Sequence, residues 1–298
     1  MAAPLLMLVA SFLFATMGVC VKLASAHYAP GEIVFYRGLI GALTIAGMTR
    51  WRGGSLRTAV PAMHFWRSLS GVGALVLWFY AIAHLPLATA ITLNYMSSVW
   101  MALFLIGGAV MLGGAGMRVD GRLVGTVLVG FAGVAMVLRP TVEHEQLWPG
   151  LIGLLSGMLA ALAYLQVTAL GRIGEPEYRV VFYFSLGSVA AGLATMLAGT
   201  AHPHTATGLV WLLAVGVLAT AAQMMMTRAY SIGRTLVNAS LQYLGIAWSF
   251  VYGVLVFGDA IRPLALGGMA LIVVAGLAAI GLRSHTPAAD TARAAADS

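Results

Sequence analysis

Residues 90–100 read AITLNYMSSVW, and residues 238–248 read NASLQYLGIAW. The two stretches share Leu, Tyr and Trp at the same places, and they exchange Thr for Ser, Asn for Gln and Met for Leu. Both copies lie within long apolar runs, where an amide or a phenol needs a hydrogen-bond partner or a wet cavity. The repeated motif therefore predicts a duplicated membrane protein whose functional site involves these two helices.

The composition is that of a protein embedded in a bilayer. Of 298 residues, 61% are hydrophobic and 8% are charged, and the mean hydropathy is +0.94, a balance that soluble proteins do not have. Each apolar stretch is close to the length of about 20 residues that a spanning helix needs. All prolines lie at or beyond the edges of these stretches, where a missing N–H costs least. Ten spans are predicted, at residues 3–23, 31–49, 65–84, 87–111, 121–138, 147–170, 179–199, 207–229, 235–257 and 263–282.

The basic residues predict the orientation. If the N-terminus is cytoplasmic, the inward segments carry most of them, and the positive-inside rule then places both termini in the cytoplasm. The net charge of +7 does not indicate nucleic-acid binding, because the arginines do not alternate with exposed aromatic residues. The outward edges hold Lys22, Arg139 and Arg262, whereas the inward segments hold Arg50, Arg52, Arg57, Arg67, Arg118, Arg122, Arg172, Arg179, Arg228, Arg234, Arg283 and Arg293.

Further residues repeat in the same order as the motif. Phe-Tyr pairs occur in the second and seventh spans, single tyrosines end the third and eighth spans, and spaced glycines occur in the fifth and tenth spans. The matching residues are Phe35-Tyr36 with Phe182-Tyr183, Tyr80 with Tyr230, and Gly125 and Gly133 with Gly268 and Gly276. They divide the chain into two five-span repeats, followed by a tail that is predicted to be disordered. The boundaries are 1–139, 147–283 and 284–298 for the tail. Because five is odd, the second repeat enters the membrane from the opposite side, and solute sites of such inverted repeats lie near the midplane.

On these features the chain resembles the EamA type of the drug/metabolite transporter superfamily. The resemblance rests on the 5+5 pattern, on Arg37 within FYRGLIGAL, and on the Asn-Tyr or Gln-Tyr pair of the two motif copies. It covers residues 1 to about 283 and implies a ten-helix carrier that exports more often than it imports. The chain departs from the family pattern at Ser98 and Ile246, where proline is common, and at Gly113-Gly114, where a Gly-Glu pair is usual.

The ninth span carries the most informative polar stripe. Asn238, Gln242, Gly245 and Ser249 follow one helical face, and Asn94 lies on the corresponding face of the fourth span. Such groups also join neighbouring helices, at about 0.6 kcal/mol each, so packing remains the alternative for every one. The richer stripe predicts that the ninth span supplies more of the recognition than the fourth. With the polar stripe of the eighth span and the repeated tyrosines, the predicted solute-binding residues are Arg37, Tyr80, Asn94, Tyr95, Gln223, Tyr230, Asn238, Gln242 and Tyr243; Tyr164 is a further candidate.

Arg37 is the one formal charge placed well inside a predicted span, where it costs a few kcal/mol. It lies only about 9 Å of helix rise from Gly31, so its side chain could reach the outer headgroups. Alternatively, it faces a cavity and binds a carboxylate or phosphate of the solute. The family resemblance also implies an arginine here.

No motif supports the rival classes of membrane-embedded enzyme, acting on a lipid or lipid-linked substrate, or channel. His144-Glu145 begins like HExxH but is followed by Trp148, and no cofactor is predicted. No acid lies deep in a span, so strong proton coupling is not indicated. Glu32, at an outward edge, is the best candidate for coupling, while His202 and His204 are expected to be solvated loop residues.

The sequence therefore predicts a carrier in the bacterial inner membrane that moves a small organic metabolite by alternating access. An amino acid or derivative, a nucleoside-like compound or a vitamin fits the aromatic, amide and cationic side chains of the predicted site. Its partners are the solute and the lipid bilayer, not nucleic acid. Gly153 and Gly157 could join helices within a monomer or between two, which leaves monomer and homodimer open.

Overall fold

The computed structural model describes residues 3–85, 87–101, 104, 121–138, 147–198, 202–258 and 263–284, and every regular element among them is an α-helix. Helical residues also follow α4 at 97–101. The bounds agree with nine of the predicted spans to within a few residues, whereas the end of the fourth predicted span, 87–111, and the predicted tail beyond residue 284 lie outside the described residues. The helices are α1 (Ala3–Ala24), α2 (Pro30–Trp51), α3 (Pro61–His84), α4 (Leu87–Tyr95), α5 (Gly121–Leu138), α6 (Leu147–Arg172), α7 (Glu177–Ala198), α8 (Ala206–Ile232), α9 (Thr235–Gln242), α10 (Leu244–Phe257) and α11 (Pro263–Ser284).

Seven of the described segments are long and apolar enough to cross a bilayer: α1, α2, α3, α6, α7, α8 and the pair α9–α10. Shorter apolar runs occupy Val124–Met136 in α5 and Leu266–Ala275 in α11. Large apolar side chains on the outer faces are exposed, as at Leu197 (79%) and Leu255 (77%), which suits contact with lipid tails. The chain is an all-helical polytopic membrane protein.

Local sequence signals set the ends of several helices. Pro30, Pro61 and Pro263 each occupy the first position of a helix, where proline sacrifices no hydrogen bond. The side chain of Thr205 accepts a hydrogen bond from the N–H of Gly208 at 3.1 Å and so caps α8. Gly258 ends α10 with φ of +69°, a left-handed conformation that favours glycine.

The largest helix contacts form a self-consistent set. α1 packs on α8, α2 on α7, α3 on α6 and α5 on α11. In the two halves α1 corresponds to α6, α2 to α7, α3 to α8 and α5 to α11. Exchanging each helix for its counterpart turns the α1–α8 contact into the α6–α3 contact and leaves the α2–α7 and α5–α11 contacts unchanged. The packing therefore has the pattern of a twofold relation between the two halves.

Glycines allow the central helix pairs to approach closely. A Cβ atom on Gly192 of α7 would lie 2.5 Å from the backbone nitrogen of Phe35 in α2. A Cβ atom on Gly133 of α5 would lie 2.7 Å from the carbonyl oxygen of Gly268 in α11, so glycines that repeat between the halves meet each other. This pair of repeated glycines thus serves backbone contact between corresponding helices.

Both motif helices are interrupted within the motif, although neither contains proline. The first copy breaks at Met96 and the second at Tyr243. A hydrogen bond between residues three apart follows each break. The N–H of Val99 donates to the carbonyl oxygen of Met96 at 2.9 Å, and the N–H of Ile246 donates to the carbonyl oxygen of Tyr243 at 3.0 Å. The duplicated motif therefore interrupts both helices without the prolines that are common in the family.

The two motif copies contact each other across the halves. The hydroxyl of Ser98 donates a hydrogen bond to the carbonyl oxygen of Ala239 at 2.9 Å. The ring of Tyr95 packs against Gly245, where a Cβ atom would lie 2.8 Å from the tyrosine oxygen. The place where the sequence repeats is therefore also a place where the halves meet.

We predict that Gly192→Ala destabilises the protein by about 1–3 kcal/mol, because the new methyl group collides with the backbone of α2. Gly47→Ala in α2 is the matched control, since a methyl group there would have no atom within 4 Å and alanine favours a helix. Thermal unfolding in detergent measures both. Equal melting temperatures for the two variants would contradict the close contact of α2 with α7.

Candidate functional site

A cavity lies among helices of both halves. Its free space measures about 560 Å³, counting the part that opens to solvent, which suits a small solute rather than a polymer. The wall combines two arginines, amides and aromatic rings with apolar side chains. It is formed by Phe14, Met17, Arg37, Arg67, Gly71, Ala74, Leu75, Trp78, Asn94, Tyr95, Ala160, Ala163, Tyr164, Phe184, Gln223, Met226 and Gln242.

The two arginines share one aromatic ring. The guanidinium carbon of Arg37 lies 5.0 Å from the ring centroid of Phe184, and that of Arg67 lies 4.3 Å from the same centroid. The arginine side chains are 4% and 2% exposed, respectively. Arg37 also donates a long hydrogen bond of 3.4 Å to Oε1 of Gln223. The aromatic face stabilises both cations but carries no formal negative charge.

No carboxylate among the described residues pairs with either arginine. Glu32 binds His202, Glu175 binds His64 and Arg179, and Glu177 binds Arg228. Within the same part of the chain, Nε of both cavity arginines and Nη1 of Arg67 have no hydrogen-bond partner. The cavity therefore holds two positive charges that its own wall does not neutralise.

Arg67 is a charged residue of the cavity wall that the sequence did not predict. The charge pattern places it in the inward cluster of arginines, but α3 begins at Pro61, so Arg67 lies about 9 Å along the helix and is buried. Gly71, one turn later, leaves room for its guanidinium, because a Cβ atom there would collide with Nη1 of Arg67. An arginine one turn before a glycine, as at Arg37 and Gly41, is the signal that could have identified it.

Five of the nine predicted site residues line the cavity: Arg37, Asn94, Tyr95, Gln223 and Gln242, and the further candidate Tyr164 joins them. Nδ2 of Asn94 donates to Oγ of Ser156 at 3.1 Å, which fixes the amide against α6. α4 thus contributes two lining residues and α9 one, so the polar stripe of α9 is only partly directed to the cavity.

The other four predicted residues lie outside the cavity wall. Tyr80 stacks on the ring of His84 with centroids 4.1 Å apart. Tyr230 stacks on Tyr164 at 5.3 Å and donates to Oε1 of Gln242 at 3.4 Å, so it supports two wall residues from behind. Asn238 donates to the carbonyl oxygen of Ala229 at 2.6 Å and joins α9 to the end of α8. Tyr243 is fully buried and packs on Gly130 of α5.

Contacts between the two halves at the start of α2 are named here the α2 clasp (Glu32, Tyr36, His202 and His204). Oε2 of Glu32 lies 2.7 Å from Nδ1 of His202, and the hydroxyl of Tyr36 lies 2.8 Å from Nε2 of His204. The histidines are exposed, as the sequence predicts, but both are held by partners on α2. The clasp joins the first half to the segment before α8.

Contacts between the two halves at the start of α7 are named here the α7 clasp (Ser55, Leu56, His64, Glu175, Arg179 and Tyr183). Nε2 of His64 lies 3.0 Å from Oε1 of Glu175. Nε of Arg179 donates a hydrogen bond to the carbonyl oxygen of Ser55 at 2.9 Å. The hydroxyl of Tyr183 donates a hydrogen bond to the carbonyl oxygen of Leu56 at 3.0 Å. α2 and α7 run antiparallel, because Gly31 contacts Thr195 while Gly38 contacts Ser188. The two clasps therefore lie at opposite ends of the same helix pair.

The repeated Phe-Tyr pairs supply one residue to each clasp. Tyr36 binds the segment before α8, and Tyr183 binds the segment before α3, which is the corresponding segment of the other half. The repeat thus places equivalent tyrosines at opposite ends of the molecule.

Glu175 holds the α7 clasp through charge. Burial by itself would raise its pKa above the usual 4.5, but hydrogen bonds from His64 and Thr58 and the positive charges of His64 and Arg179 lower the pKa overall. A carboxyl group with a lowered folded-state pKa stabilises the fold above its unfolded pKa, and this contribution is lost as pH falls through the folded value. The clasp is therefore strongest when Glu175 is ionised.

An all-helical membrane protein with a polar cavity among helices of both halves, and with contacts between the halves at both ends of the α2–α7 pair, has the architecture of a membrane transporter. The EamA-like transporter family matches residues 1–139. The pseudopaline exporter of Pseudomonas aeruginosa is 35% identical over 275 residues, which span 92% of this chain and 94% of the relative. The riboflavin transporter of Rhizobium johnstonii is 29% identical over 223 residues, which span 75% of this chain and 71% of the relative.

The chain belongs to the EamA-like transporter family, as the resemblance in its sequence predicts. It is a transporter and not an enzyme, so the alternative of a membrane-embedded enzyme is wrong. A solved crystal structure superposes with a TM-score of 0.76 at 20% identity, over 94% of this chain and 98% of that chain, and therefore shares the fold.

We predict that Glu175→Gln loosens the segment 52–60, because the amide cannot replace the charge-assisted bond to His64. Local opening that is easier by about 1 kcal/mol raises the rate of tryptic cleavage after Arg52 and Arg57 about fivefold. Mass spectrometry of the released peptides measures this rate at neutral pH. Glu177→Gln is the control, since its exposed pair with Arg228 does not touch the segment. Equal cleavage of both variants would contradict the clasp.

Proposed function

We propose that this transporter moves a small organic metabolite across the bacterial inner membrane by alternating access, in the direction of export rather than uptake. The observation that carries the proposal is the internal polar cavity, which is built from both halves and lies between two clasps at opposite ends of α2 and α7. A carrier needs one solute site and two barriers that open in turn. Cavity and clasps together meet this requirement.

The proposal includes ten spans arranged as two inverted repeats, residues 1–139 and 147–283, with both termini in the cytoplasm. Three features support it: the self-consistent set of helix contacts, the two broken motif helices that meet, and the equivalent tyrosines at opposite ends. Under this orientation the α2 clasp faces outward and the α7 clasp faces the cytoplasm.

The solute is proposed to be an amino-acid derivative, a nucleoside-like compound or a vitamin-like compound. Aromatic rings of Trp78, Tyr164 and Phe184 and the amides of Gln223 and Gln242 offer stacking and hydrogen bonding to such molecules. The names of the relatives, a pseudopaline exporter and a riboflavin transporter, support small organic solutes, and the first of them favours export. The protein is proposed to act in the lipid bilayer as a monomer or homodimer, without nucleic acid and without a cofactor.

A flux measurement on liposomes tests the transport function. Purified protein is reconstituted into liposomes loaded with a protein-free extract of bacterial cytoplasm, and mass spectrometry identifies the compounds that leave. We expect a small group of organic solutes whose efflux saturates and shows counterflow, with protein-free liposomes as the control. Efflux that never saturates would indicate a channel and contradict the proposal.

The two clasps provide a test of alternating access. In a Cys20→Ser background, Ala74→Cys places a single thiol at the cavity wall. We expect Glu175→Gln to increase labelling by a membrane-impermeant maleimide from the cytoplasmic face and to decrease it from the outer face. Glu32→Gln should have the reverse effect. Each substitution weakens the barrier on one side of the membrane and so favours the state that is open on that side.

The labelling is measured separately in right-side-out and inside-out vesicles. Glu177→Gln, which weakens neither clasp, is the control and should leave both rates unchanged. If either clasp variant raises labelling equally from both faces, the clasps are not alternating barriers.

A further inference from the structure

The cavity arginines impose a requirement on the solute. Arg37 and Arg67 are more than nine-tenths buried, and no described carboxylate neutralises them. A buried cation without a counter-charge is destabilising, and a second cation beside it adds repulsion. A protein retains such a pair when the missing negative charge comes from what it binds.

Structural roles would leave a different pattern of contacts. An arginine that holds helices together saturates its donors on neighbouring carbonyls or acids, as Arg179 does with Ser55 and Glu175. Arg37 instead makes one long hydrogen bond to Gln223, and Nε and Nη1 of Arg67 have no partner among the described residues. Both arginines are residues of the cavity wall.

The separation of the two arginines limits the size of the bound group. Because each guanidinium carbon lies within 5.0 Å of the centroid of Phe184, the two carbons are at most about 9 Å apart. Two acidic groups of one small molecule can therefore reach both guanidinium forks at once. The guanidinium fork suits carboxylate and phosphate groups alike.

We propose that the transported solute is an organic anion with two acidic groups, one bound by Arg37 and the other by Arg67. Its uncharged part lies against the aromatic surface of Trp78 and Tyr164, and the neutral amides of the wall bind its other polar atoms. The inference rests on the proposed carrier function and narrows its substrate class from metabolites in general to dianions.

A binding series that changes charge at nearly constant shape tests the inference. The probes are N-benzoyl-glutamate, with two carboxylates, N-benzoyl-glutamine, with one, and the amide of N-benzoyl-glutamine, with none. Binding is measured with the purified full chain in detergent, by its shift in melting temperature with probe concentration. Each lost carboxylate should weaken binding about tenfold, the size expected for one charge-assisted hydrogen-bonded pair.

Phenyl phosphate distinguishes two separate acidic groups from one doubly charged group. It carries its two negative charges on a single phosphate, whereas the proposed solute presents them on two separate groups. We expect it to bind more weakly than N-benzoyl-glutamate. Equal or tighter binding would overturn the requirement for two groups.

Substitution of the arginines separates recognition from structure. The Arg67→Gln protein should bind N-benzoyl-glutamate no more tightly than the parent protein binds N-benzoyl-glutamine. The same substitution should raise the melting temperature measured without probe, because it removes an unpaired buried charge. Arg37→Gln should behave in the same way. Arg172→Gln, at an exposed arginine at the end of α6, removes the same charge far from the wall and should change neither property.

Equal binding of the three benzoyl compounds would overturn the inference. So would an Arg67→Gln protein that melts earlier and loses all three probes equally, since that result defines a structural arginine. The binding series does not depend on transport, so the carrier function and the dianionic solute can be contradicted independently of each other. Charge-dependent binding without liposome efflux would contradict the carrier function alone, and efflux without charge dependence would contradict the dianion alone.

Discussion

Two guanidinium groups over the ring of Phe184, without an acidic partner in the described part of the chain, are the constraint on which the site depends. Apolar helices surround them, so neither charge can be relieved by bulk water along most of its surface. The helices that carry these residues are held by close packing, because Gly192 of α7 lies against the backbone of α2.

Duplication explains how corresponding positions of the two halves supply residues to both the cavity and the clasps. The two copies break their helices at the same part of the motif and meet through Ser98 and Ala239. The repeated tyrosines Tyr36 and Tyr183 lie at opposite ends, each bound to the corresponding segment of the other half. Each clasp also contains a glutamate–histidine pair, Glu32 with His202 in one and Glu175 with His64 in the other.

The sequence predicts most of the fold, because its apolar runs are long and proline marks their edges. α5, at 121–138, lies where the hydropathy pattern places it. The breaks at Met96 and Tyr243 could not be predicted, since no proline or glycine precedes them and the cause is contact between the halves. Among the residues of the site, Arg37 could be recognised as a charge inside a predicted span. Arg67 could not, because α3 begins at Pro61, four residues before the predicted start at 65, so Arg67 lies deeper in the helix than the prediction placed it. Asn238 and Gln242 share a helical face, yet only Gln242 reaches the cavity, because Asn238 is drawn to the end of α8.

The most direct measurement is an experimental structure of the protein with the solute that it releases from liposomes. The two-arginine site predicts that one acidic group of the solute lies about 3 Å from the guanidinium nitrogens of Arg37 and a second acidic group equally close to those of Arg67. A solute bound in this cavity with its acidic groups directed away from both arginines, or bound elsewhere in the protein, would contradict it.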